Sequence, residues 1–77
     1  MTFAHTIKRV QDRYDALPVA VHTESPRGVL SRVAANAFWT RTPTYERALN
    51  LAALAVALLV AIDRAETVDI TSGQDAA

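Results

Sequence analysis

The 77-residue chain has no cysteine, only two glycines, a single lysine and no net charge. Without cysteine, disulfides and thiolate-held metals are excluded. A chain this short sits near the lower size limit for unaided folding, so packing alone must hold it. Gly28 and Gly73 are too few to build a glycine-rich phosphate loop. The opening Met-Thr-Phe-Ala-His lacks the apolar core of a secretory signal. No internal repeat or low-complexity tract is present. One lysine beside seven arginines, with abundant alanine, suggests a GC-rich genome.

What is present begins with an amphipathic pattern. Phe3, Ile7, Val10, Tyr14 and Leu17 fall within about 80° of one another on a helix. Lys8 and Asp12 on the polar side are spaced to pair, and Pro18 stops the segment. Residues 18–24 read as a connector with a hint of extended structure at Val19 and Val21. Ser25 followed by Pro26 marks a second helix start, with Val29, Leu30, Val33 and Ala37 on one face. Gly28 weakens its first turn. Thr42 and Pro43 repeat the start signal, with Glu46 favourable in the first turn.

The fold class expected is therefore all-α: three helices over about 2–17, 26–39 and 43–66. Residues 1–66 form the single domain and 67–77 a polar, flexible tail, with Val68 and Ile70 as a minor alternative strand. The third helix would run about 36 Å at ~1.5 Å per residue.

That third helix poses the central question, because Leu51 to Ile62 contains no polar residue. A bilayer span needs ~20 mostly apolar residues. Residues 48–62 supply fifteen without formal charge, six of them alanine, and any widening brings in Glu46 and Arg47 or Asp63 and Arg64. Trp39 and Tyr45 stand where interfacial anchors would. On a helical wheel Ala53, Ala57 and Ala61 form a small face, opposite a bulky one of Leu51, Leu58, Leu59 and Ile62. The bulky face is expected to pack on the other two helices, leaving the small one for close approach of another helix. Candidate interaction residues are thus Asn50, Ala53, Ala57 and Ala61, with Leu49, Val56 and Val60 on the flanks. Ala57→Leu is expected to weaken association, while Tyr14, Phe38 and Trp39 are expected in the core.

Little points to catalysis or cofactors. His5 and His22 have no carboxylate at ligand-like spacing, Ser31 in "GVLSRV" is not a nucleophile elbow, and Asp12 and Asp15 belong to a mixed-charge face. No catalytic, metal or cofactor residue is expected. Arg27, Arg32, Arg41 and Arg47 are the candidates for charged contacts, but an apolar third helix makes a poor major-groove reader.

The function expected is a small non-enzymatic interaction protein. It would act stoichiometrically in the cytoplasm, as an accessory or regulatory subunit or an inhibitor, bound to itself or another protein. Composition and length suit phage or mobile-element origin in a GC-rich bacterium. The alternative is a single-pass inner-membrane subunit with residues 48–62 inserted, its basic side cytoplasmic. Nucleic-acid binding ranks third.

Overall fold

The computed structural model describes residues 2–39 and 41–66 in full and the helical backbone of 67–76. The chain is all-α, with helices α1 (Phe3–Asp15), α2 (Val19–Thr23), α3 (Pro26–Trp39) and α4 (Tyr45–Ala76). The backbone of 67–76 continues α4, so the helix runs past its expected end at residue 66 and Val68 and Ile70 are not extended.

Local chemistry sets most boundaries. The Thr2 hydroxyl caps α1 by accepting from the His5 amide at 3.1 Å. Lys8 Nζ reaches Asp12 at 2.6 Å along the solvent face, and that hydrogen bond raises the lysine pKa. Pro18 ends the α1 pattern as expected. Ser25 caps α3, its hydroxyl accepting from the Gly28 amide at 3.2 Å, so the Ser25-Pro26 signal performs as read.

Two further boundaries differ from expectation. Helix α4 begins at Tyr45 rather than Pro43, because Thr44 is the cap: its hydroxyl accepts from the Arg47 amide at 3.2 Å. Pro43 stays outside, and Arg47 Nη1 ties back to the Thr42 carbonyl at 3.0 Å. The connector is not extended either, but forms the five-residue helix α2. An isolated extended segment would leave its peptide groups without a neighbouring strand. A single helical turn pairs them locally, as in Val21 N to Pro18 O at 3.0 Å, and still buries Val21 while leaving Val19 outside.

Helix α4 is the spine, and α1, α2 and α3 each pack against it. Helix α3 runs antiparallel to it. Pro26 shares a hollow with Ala61, Arg64 and Ala65, and Trp39 shares one with Glu46, Arg47 and Asn50 at the other end. Helix α1 packs along α4 from its start, where Arg13 pairs with Glu46 and the Arg9 guanidinium lies 4.9 Å from the Tyr45 ring centre, to Val56. The core consists of Val21, Val29, Leu54, Ala57 and Ala61, flanked by Tyr14, Leu17, Val33 and Leu58.

The small face of α4 is inside, against expectation, although Leu58 of the bulky face also packs on the core. Ala53, Ala57 and Ala61 turn inward and are buried, while Leu59 and Ile62 face out. The inward partners from α2 and α3 are the short side chains Val21, Val29 and Val33. Short side chains fill a helix contact only where the axes approach closely, and alanines every fourth residue permit that approach. A bulky inward face would have held the helices apart.

Candidate interaction surface

Most candidate residues of the small face are used within the chain. Leu49, Ala53, Ala57 and Ala61 are all less than a tenth exposed, so a second chain cannot reach them without opening the fold. Asn50 is half-buried in the hollow between α3 and the start of α4. Val56 is half-buried, and only Val60 among these seven is exposed.

The available surface is the opposite side of α4. Ala48, Leu51, Ala52, Ala55, Leu59 and Ile62 lie within about 100° of arc at 100° per residue. Leu59 is 67% exposed, Ile62 38%, Ala48 and Ala55 are exposed, and Leu51 and Ala52 half-buried. Between Thr44 at one end and Glu66 at the other, this arc carries no polar side chain. Helix α1 widens it: Ile7 and Val56 line one hollow, and Phe3, one turn before Ile7, is 82% exposed. The α1 stripe overhangs its support at that end.

A second exposed feature is the edge-to-face pair of Phe38 and Trp39, with ring centres 5.1 Å apart. Both rings are more than two-thirds exposed, against the expectation that they would be core. They end α3 just where the chain leaves for the loop, so no element lies beyond to cover them. Tyr14 does reach the core edge, its ring edge-on to His22 at 4.8 Å.

The arginines do not form one phosphate track. Arg32 is held by Glu24, whose carboxylate raises the guanidinium pKa. Arg32 and Arg47 line a common hollow, but Glu46 stands in it too. Arg27 lies at the other end of α3, about 18 Å from Trp39 at ~1.5 Å per residue. Among the described residues no group of His, Asp or Glu is placed to hold a metal ion.

Sequence reasoning missed Arg64. Its guanidinium donates from Nη1 to the His22 carbonyl at 2.9 Å and from Nη2 to the Glu24 carbonyl at 3.1 Å. These are the free acceptors at the end of α2, and no local pattern announces a partner forty residues away.

Compared with protein-family models, curated proteins and solved structures, the chain matches none.

Proposed function

We propose that this protein is a non-enzymatic interaction module, which binds another macromolecule stoichiometrically through the outer face of α4 and serves as an accessory or regulatory subunit or an inhibitor. One observation carries the reading: four turns of apolar helix surface face solvent on a helix whose other side is already packed. Contiguous apolar patches on small soluble proteins mark association surfaces. The surface moves from the alanine face to Leu51, Ala55, Leu59 and Ile62, but the kind of function is unchanged.

The bilayer reading draws on the length and composition of α4, whose most apolar eighteen-residue stretch within Tyr45–Glu66 has a mean hydropathy of 1.8. What favours the soluble reading is the company α4 keeps. With α1 and α3 packed along it, inserting residues 48–62 would carry Lys8, Arg9, Asp12, Arg13 and Arg32 toward hydrocarbon. Each mid-membrane charge costs at least ~2.5 kcal/mol, so a span would require the helices to separate first.

The test is a photo-crosslinking residue at position 59 in the cell that makes the protein, with position 27 as an exposed control away from the face. A single discrete protein adduct from position 59, absent from position 27, is expected. No adduct, or adducts to lipid, would overturn the reading.

A further inference from the structure

The geometry points to a second copy of this chain as the occupant, docked antiparallel across the outer face of α4. This rests on the proposal that the face is a binding surface, and adds which molecule covers it. The first argument is shape. Ala48, Leu51, Ala52 and Ala55 sit at i, i+3, i+4 and i+7, the four positions that frame a hole for a knob from a facing helix. Three of the four are alanine, so little side-chain volume fills the hole, and Ala48 and Ala52 also line a hollow with Thr6 and Val10 of α1. One turn beyond stands Leu59, the most exposed large hydrophobic side chain among the described residues of α4.

An antiparallel two-fold axis beside Ala55 places Leu59 of each copy over the hole of the other, and Ile62 beside Ala48. A parallel pairing would set hole on hole and Leu59 on Leu59. The fit of large to small therefore exists in one orientation only, and it is reciprocal, as a two-fold interface requires.

The second argument is charge. The N-terminal end of the face is flanked by exposed Arg41 and Arg47, and its C-terminal end by exposed Glu66. The same axis sets Glu66 of one copy opposite Thr44 of the other, one turn before Arg47. It also opposes the two helix dipoles.

The test uses the absence of cysteine from the natural chain. Light scattering on detergent-free protein should give twice the 8.4 kDa chain mass at micromolar concentration. Facing Cα atoms in close helix pairs come within disulfide reach. So A55C should crosslink to itself, and a mixture of A48C and I62C should crosslink well above either alone. A55E, exposed and compatible with a helix, should retain its helical circular dichroism and weaken association by roughly a hundredfold through like-charge contact.

A monomer at every concentration would overturn the second copy. A position-59 adduct of any mass other than two chains would do the same while leaving the binding surface intact, and no adduct would remove both. Efficient A48C self-crosslinking would overturn the antiparallel arrangement. Recovery only with detergent would replace the second copy by lipid.

Discussion

Arg64 and His22, forty-two residues apart, are joined by a 2.9 Å hydrogen bond from the guanidinium to the backbone carbonyl. The same side chain reaches the Glu24 carbonyl. One residue of α4 thereby satisfies the exposed end of α2 and fixes where the chain turns into α3. Arg64→Ala should cost about 1–2 kcal/mol, read as a lower urea midpoint. Arg64→Lys should recover only part, because an ammonium lacks the planar fork that serves two carbonyls together. An unchanged midpoint in the alanine variant would show that water replaces the arginine without loss.

Ala57→Leu changes meaning once the structure is known. Ala57 is 4% exposed within the chain, so the added bulk meets the core. It should destabilise the fold by about 1–3 kcal/mol. Ala55→Leu, on the exposed side, should alter the stability of the monomer, read at concentrations below association, by less than about 0.5 kcal/mol. Thermal unfolding of the pair decides which face of α4 is inside; equal losses would contradict the orientation.

Gly28 has a reason beyond its weak helix propensity. A Cβ there would stand 2.5 Å from Glu24 Cγ and 2.8 Å from Cδ. The glycine makes room for Glu24 to fold over the first turn of α3 and reach Arg32. Gly28→Ala in the natural background should therefore return little of the ~1 kcal/mol that alanine normally gains in a helix. In a Glu24→Ala background it should return most of it. Equal gains in both backgrounds would remove the link between Gly28 and Glu24.

Trp39 is the only tryptophan and is 69% exposed. Its fluorescence should be that of a hydrated indole, open to acrylamide quenching in the folded monomer. Trp39→Ala should change stability by no more than about 0.5 kcal/mol. A blue-shifted, unquenched emission would show the ring covered.

The sequence made the all-α class legible because its signals act over one turn. Thr2, Ser25 and Pro18 punctuate the chain through their own backbone neighbours, and the α1 stripe follows from 3.6-residue periodicity. The same local logic failed at residues 18–24. There the alternation of Val19 and Val21 fits a strand and a single helical turn equally well, and only the absence of a pairing strand among the described residues decides between them. At the start of α4, Thr42 and Thr44 are both competent caps, and the choice rests on which hydroxyl meets an amide three residues on.

By itself the sequence determined that α4 has a small face and a bulky face, that neither is polar between Leu51 and Ile62, and that something must cover whichever is left over. Only the tertiary structure decided which one that is. Side-chain volume along one helix is a property of the chain. The side chosen for the core depends on what α2 and α3 bring to meet it. They bring valines, which fill a helix contact only at close range, so Ala53, Ala57 and Ala61 went inside beside Leu54, and Leu59 and Ile62 were left for another molecule.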